Sequence, residues 1–212
     1  MKRTLIVIAL IAALIAPIWA QASGTTPDGF QWSRTSNGTG IIIDFYEGTA
    51  TTVSIPARIN NLPVVEIGEG AFAYNSLYIT SVVILGSVTK IGSSAFERQT
   101  RLASINFPGS LVEIGQSAFK SCYSLTSIDL SRCGGFTTLG YGAFSDCQGL
   151  TSVRFGNRIT TIGNYAFRGC TALTDFNTSA ARITFGTNVF EGTILNEASR
   201  RRLTAVGYTG PF

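Results

Sequence analysis

The side chains most capable of chemistry are four cysteines and twelve carboxylates, and their spacing argues against catalysis by either. No histidine occurs anywhere. Its absence removes Ser-His-Asp and Cys-His nucleophilic sites and the His-x-x-x-His zinc arrangement together. Cys122, Cys147 and Cys170 each stand three residues after a phenylalanine, and the equivalent places elsewhere hold Asn75, Gln99 and Thr193. Side chains that hydrogen-bond into a turn are interchangeable there, which favours a structural ladder over a reactive site. Cys133 breaks this pattern. It lies among extra residues, Ser131 to Gly135, and is expected in an exposed bulge with a reactive thiol. The carboxylates are scattered. Glu66, Lys90 and Glu113 share one repeat position and predict a cross-rung charge ladder worth about a few tenths of a kcal/mol per pair. No catalytic residue, metal ligand or cofactor is therefore assigned, and the chain is expected not to be an enzyme.

These positions are defined by a repeat. The phrase Ile-Gly-x-x-Ala-Phe begins at Ile67, Ile91, Ile114, Leu139, Ile162 and Phe185, at steps of 24, 23, 25, 23 and 23 residues. Its glycines are Gly68, Gly92, Gly115, Gly140, Gly163 and Gly186, and its phenylalanines Phe72, Phe96, Phe119, Phe144, Phe167 and Phe190. A unit this short cannot bury its own apolar face, so each coil must be covered by the next. The glycine is expected where the chain bends too tightly for a Cβ or needs a positive φ, and the alanine where a phenylalanine must lie against its neighbour. Between the phrases runs apolar-x-x-apolar-x-apolar: Ile79, Val82, Ile84; Leu102, Ile105, Phe107; Leu125, Ile128, Leu130; Leu150, Val153, Phe155; then Leu173 and Phe176. Its alternation predicts one row of parallel strands about 4.8 Å apart. A second short strand is expected just before each glycine, as at Val88 to Ile91. The fold class is a repeat solenoid, mainly β with short turns.

The ends read differently. Lys2 and Arg3, an apolar run from Leu5 to about Trp19, and Ala20-Gln21-Ala22 predict a signal peptide over residues 1–22 cleaved before Ser23. The rival, an uncleaved anchor, needs about 20 apolar residues to span. Export would place the chain in the periplasm, at the cell surface or outside the cell, and would admit a disulfide between Cys122 and Cys147 as the alternative to the ladder. Loss of Lys2 and Arg3 lowers the formal charge from +4 to +2, too little for nucleic acid even with the Arg200, Arg201, Arg202 cluster. Residues 23–50 are expected to cap the solenoid through a hairpin about Asn37-Gly38-Thr39-Gly40, with Ile41, Ile43 and Phe45 on one face. Residues 51–194 form the solenoid. Residues 195–212 should close its other end with a helix N-capped by Asn196 and spaced through Ala198, Arg202 and Leu203. Asn37-Gly38-Thr39 and Asn177-Thr178-Ser179 match a glycosylation pattern and read instead as turns.

From Val53 to Thr193 the chain resembles the BspA-like, treponemal type of bacterial leucine-rich-repeat protein, whose unit carries Leu-x-x-Ile-x-Leu-Pro and then Ile-Gly-x-x-Ala-Phe-x-x-Cys. Only Pro56 and Pro108 keep the proline, with Leu85, Ser131 and Gly156 elsewhere. The resemblance implies a right-handed leucine-rich-repeat superhelix, and a secreted or surface module for adhesion and protein interaction, some toward host matrix or bacterial envelope components. The outward residues of the strand row, after Ser81 and Val83, are Ser104, Asn106, Ser127, Asp129, Ser152, Arg154, Asp175 and Asn177. Mostly small and polar, they suit a protein or glycan partner. An alternative function, carriage of a small apolar ligand, rests on Tyr74, Tyr78, Val83 and Leu85 near Trp32, Phe45 and Tyr46, where the same residues could equally seal the core.

Overall fold

The computed structural model describes residues 21–73 and 78–212, so residues 1–20 of the expected signal peptide 1–22, together with Tyr74 and Asn75, lie outside the described residues. The rest is a solenoid of stacked coils whose strands form two rows. In the longer row, β1 (Ser23–Thr25), β2 (Phe30–Arg34) and β3 (Ile41–Tyr46) pair antiparallel as a cap. Then β6 (Leu62–Ile67), β8 (Lys90–Ile91), β10 (Glu113–Ile114), β12 (Thr138–Leu139), β14 (Thr161–Ile162) and β16 (Thr184–Phe185) follow in parallel. A short β5 (Arg58–Ile59) pairs β6 antiparallel. The pre-glycine strands are thus present, each two residues long after β6.

Each phrase turns the chain from this row toward the other. The recurring glycines are there because the preceding coil comes too close, not because φ is positive. A Cβ on Gly115 would lie 2.8 Å from the backbone nitrogen of Ser93, and one on Gly140 would lie 2.5 Å from the carbonyl carbon of Gly115. Positive φ falls two residues later, at Ser94, Ser117, Gly142, Tyr165 and Asn188. Beyond the glycine, the N–H of each phenylalanine from Phe72 to Phe144 donates to the carbonyl of the next coil's alanine, as Phe96 does to Ala118 at 2.7 Å and Phe119 to Ala143 at 2.8 Å, and Phe167 donates to the equivalent Val189 at 2.9 Å. With a methyl as the only side chain between them, the rings stack. Phe72, Phe96, Phe119, Phe144, Phe167 and Phe190 form a column with successive centroids 4.7, 5.1, 5.0, 5.7 and 5.6 Å apart and ring planes within 12°. All six are fully buried. Phe30 and Tyr46 extend the column into the N-terminal cap, and Tyr208 closes it at the other end.

The second row departs from expectation. It is two separate sheets, β4 (Thr52–Ile55), β7 (Ser81–Ile84) and β9 (Ser104–Ile105), then β11 (Ser127–Leu130), β13 (Ser152–Phe155) and β15 (Asp175–Thr178). The break has a side-chain cause. Asn106 turns its amide onto Ile84, accepting from its N–H at 2.6 Å and donating to its carbonyl at 3.4 Å, which ends β9 after two residues. Ile105 and Phe107 are consequently only half-buried, whereas their counterparts Ile128 and Leu130 are buried.

At the ends, two details correct the sequence reading. Asp44 bulges between the pairs Gln31–Phe45 and Trp32–Ile43, so Tyr46 rather than Phe45 joins Ile41 and Ile43 in the core. The C-terminal helix α1 (Glu197–Ala205) is N-capped by Asn196, which accepts from the Ser199 N–H at 2.8 Å. Its buried face carries Ser199 and Leu203, while Ala198 is exposed. Asn37 does make a turn, accepting from the Thr39 N–H at 3.1 Å. Asn177 and Thr178, by contrast, are strand residues of β15.

Candidate functional site

All four cysteines are free and buried, so the disulfide reading gives way to the ladder. Cys122, Cys147 and Cys170 donate to the carbonyls of Phe96, Phe119 and Phe144 of the preceding coil at 3.2, 3.1 and 3.1 Å. Gln99 makes the same contact to Phe72 through Nε2. Cys133 is corrected as well. Its turn folds inward, the thiol donates to the Pro108 carbonyl at 3.3 Å, and 3% of the residue is exposed. Burial, then the charge of Asp129, pushes this thiol up to about 11, and burial pushes Cys147 up to about 12. None of the four is a poised nucleophile. Among the described residues no group of three or more Cys, Asp or Glu is arranged to hold a metal ion.

The predicted partner-facing residues divide at the break. Ser104 and Asn106 belong to the first sheet, where Ser104 donates to the Ser81 hydroxyl at 3.0 Å and Asn106 is committed to Ile84. The other six stand together on β11, β13 and β15. Register aligns Ser127, Ser152 and Asp175 in one line across the strands, and Asp129, Arg154 and Asn177 in the next. Strand alternation sends their neighbours Ile128, Val153 and Phe176 into the core, which fixes the polar set outward. Ser127, Asp129, Ser152, Arg154 and Asp175 line a depression of about 250 Å³.

Its electrostatics are set locally. Asp129 accepts from the Ser131 hydroxyl at 2.6 Å and its N–H at 2.9 Å. The Ser131 hydroxyl, and next to it the charges of Arg154 and Arg132, hold this carboxyl below its usual range against a burial effect that raises it. Asp129 is therefore an ionised, oriented acceptor beside the Arg154 guanidinium. Ser131 was missed as a site residue, although Asp-x-Ser is a legible signal for such a turn. The edge beyond β15 is closed by α1, where Ser199 accepts from the Phe176 N–H at 2.9 Å and Arg202 donates to the Phe176 carbonyl at 2.9 Å.

The residues of the apolar alternative point elsewhere. Tyr78 is 61% exposed beneath the Arg101 guanidinium, Leu85 is exposed, and Val83 is half-buried on β7. The end of the core is filled by Phe30, Trp32 and Tyr46 instead. The charge ladder is present at its first step, Lys90 to Glu66 at 3.1 Å, with Glu113 in register on the next strand. Hydrogen bonding to Glu66 raises the Lys90 pKa. The arginine cluster disperses. Arg200 donates to the Leu195 carbonyl, Arg201 pairs with Glu197 at 3.4 Å and Arg202 holds Phe176.

Comparison with known families places this architecture. A profile described as the BspA type leucine rich repeat region matches residues 65–196 in six copies. The chain belongs to the BspA-type leucine-rich-repeat family. Among solved structures it is similar to the Treponema pallidum leucine-rich-repeat protein at 32% identity and a TM-score of 0.65, over 89% of this chain and 99% of that one. It also resembles a leucine-rich cell-surface protein of Faecalibacterium prausnitzii at 28% identity and a TM-score of 0.70, over 82% of this chain and 47% of that one. The pneumococcal vaccine antigen PcpA shares the fold at 19% identity and a TM-score of 0.61, over 84% of this chain and 50% of that one. No curated protein matches the sequence. Like other BspA-type repeat proteins, the chain is a scaffold of the kind used for protein interaction, and its solenoid family is typically non-catalytic. Among the described residues no helix is long and apolar enough to cross a membrane.

Proposed function

We propose that this protein is an exported, non-catalytic interaction or adhesion module that binds a protein or glycan partner through the face of β11, β13 and β15. The observation that carries the reading is the line Asp129, Arg154, Asn177, an anion, a cation and an amide on successive strands above a shallow depression. A partner with complementary charges could read that line without either side changing shape, since all three residues sit on paired strands. That the Faecalibacterium relative is a cell-surface protein supports export. Candidate partners are host matrix proteins and bacterial envelope components.

The test couples binding to folding. Asp129→Lys and Arg154→Glu, each in the chain beginning at Ser23, are expected to weaken capture of a partner found by pull-down against matrix and envelope proteins, with the melting temperature unchanged. Equal capture by both variants would move recognition off this sheet. Protease accessibility on intact cells, with N-terminal sequencing of the recovered chain, tests export. A start at Ser23 is the expected result.

A further inference from the structure

The parallel strands that begin and end the two rows differ in what lies beyond them. The cap β1–β3 precedes β6, the final turn bonds Ile183 to Val206, and α1 plugs β15. Strand β4, which begins the second row, has no such cover. It pairs β7 on one side and, among the described strands, nothing on the other. Alternate residues of a parallel strand turn their amide groups to opposite neighbours. The carbonyls of Thr51 and Ile55 accept from β7 and its flank, from the N–H groups of Ser81 and Leu85, which leaves the N–H and C=O groups of Thr52 and Ser54 directed away from the stack. Beside them runs a groove of about 610 Å³ between β4 and the cap, where a preceding coil would have laid its own strand. Its floor includes Phe30, Tyr46 and Val53, and the charged residues that line it, Asp28 and Glu47, are both acidic.

We infer that this groove is a strand-addition site for an extended segment of a partner protein carrying basic residues. The segment fills the missing rung, pairing its backbone with Thr52 and Ser54, placing alternate side chains over Phe30 and Val53, and setting a lysine or arginine near Asp28 and Glu47. Main-chain pairing supplies affinity and the acidic rim supplies selectivity. A second copy pairing its own β4 edge here suits the groove poorly, because it would bring the acidic rim against its own like charges. The site lies on the first sheet, across the break from the face proposed above, and the two can be engaged separately.

The probe is a fluorescein-labelled hexapeptide, lysine–valine–threonine–valine–threonine–lysine, followed by anisotropy against the full chain and the chain beginning at Ser23. Saturable binding is expected, weakened by about tenfold or more when glutamates replace the lysines or when Ser54→Pro removes the outward N–H, the loss expected for a hydrogen bond in a desolvated groove. A proline is tolerated at an edge position whose N–H faces away from its own sheet, and the melting curve checks that it is tolerated here. The double variant Asp28→Lys, Glu47→Lys lies on exposed residues and should prefer the glutamate-ended peptide, which keeps the test independent of the proline. Equal binding of both peptides, or binding indifferent to both variants, overturns the proposal. So does a concentration-dependent dimer that Ser54→Pro dissolves, which would assign the edge to a second copy. Binding by the Ser23 chain alone would also overturn it, by assigning the edge to residues 1–22.

Discussion

The thiols explain why cysteine, glutamine and threonine can share a repeat position. Each phenylalanine carbonyl has two lone pairs. In Phe96, Phe119 and Phe144 one is taken by the N–H three residues on in the same coil, as Cys122 to Phe119 at 3.2 Å, and the other by the next coil's thiol, as Cys147 to Phe119 at 3.1 Å. The last coil has no successor, and there Thr193 satisfies Phe190 with both its N–H at 3.1 Å and its hydroxyl at 2.8 Å. Because the thiols are buried and held protonated, a disulfide-exchange reagent at pH 8 should label no cysteine in the native chain and four once it is unfolded. Rapid native labelling of Cys133 would restore the exposed bulge. The pKa shifts also carry a sign for stability. Burial raises the thiol of Cys147 from 9.0 to about 12, so the unfolded chain loses its proton first and stability falls as pH rises from about 9 toward 12. Cys147→Ala should be less stable at pH 7 and should show a shallower alkaline decline in melting temperature. An identical slope would mean that this thiol contributes nothing to it.

At the scale of elements, the sequence was legible where a pattern repeats and opaque where a single residue acts. The parallel strands and the pre-glycine strands followed from periodicity, and the Asn196 cap from an N-cap residue type ahead of helical spacing. Asn106 did not, because nothing in its spacing distinguishes an outward asparagine from one that folds back on Ile84. Ser199 was equally hidden. A serine inside a helix pattern carries no hint that it will stand in for a missing strand, yet it takes the Phe176 N–H and donates toward the Thr174 carbonyl at 3.3 Å. Ser199→Ala should therefore cost about 1–3 kcal/mol by leaving a buried amide unpaired, read from denaturant unfolding. A loss within error would show that the amide finds water. The same contrast explains the site. Alternation placed six outward residues on one sheet, but Ser131, which orients Asp129, lies in the turn after the strand, where the repeat unit carries proline and the alternation no longer applies.

For the whole molecule, stability is carried coil to coil, so a local defect is felt according to what else bridges the same seam. Between the coils of Phe96 and Phe119 the second strand row is broken, and β8–β10 pairing, the backbone bonds of the phrase, the Cys122 thiol and the ring column hold the halves together. Phe119 touches Phe96 at 5.1 Å, Phe107 at 5.9 Å and Phe144 at 5.0 Å, so its removal strips aromatic contact from the weakest seam. Phe119→Ala should cost about 3–5 kcal/mol, against a total of about 5–15 for an ordinary domain. It should also divide the unfolding in two. Trp32 sits in the N-terminal cap and reports one half by fluorescence, while Cys147 and Cys170 report the other by thiol accessibility. In the natural chain the two probes should change together along a denaturant series, because an intact column couples every coil. In Phe119→Ala they should separate. Two probes that still coincide in the variant, at whatever lower midpoint, would show that the hydrogen bonds across the seam suffice to join the halves and that the column contributes burial without coupling.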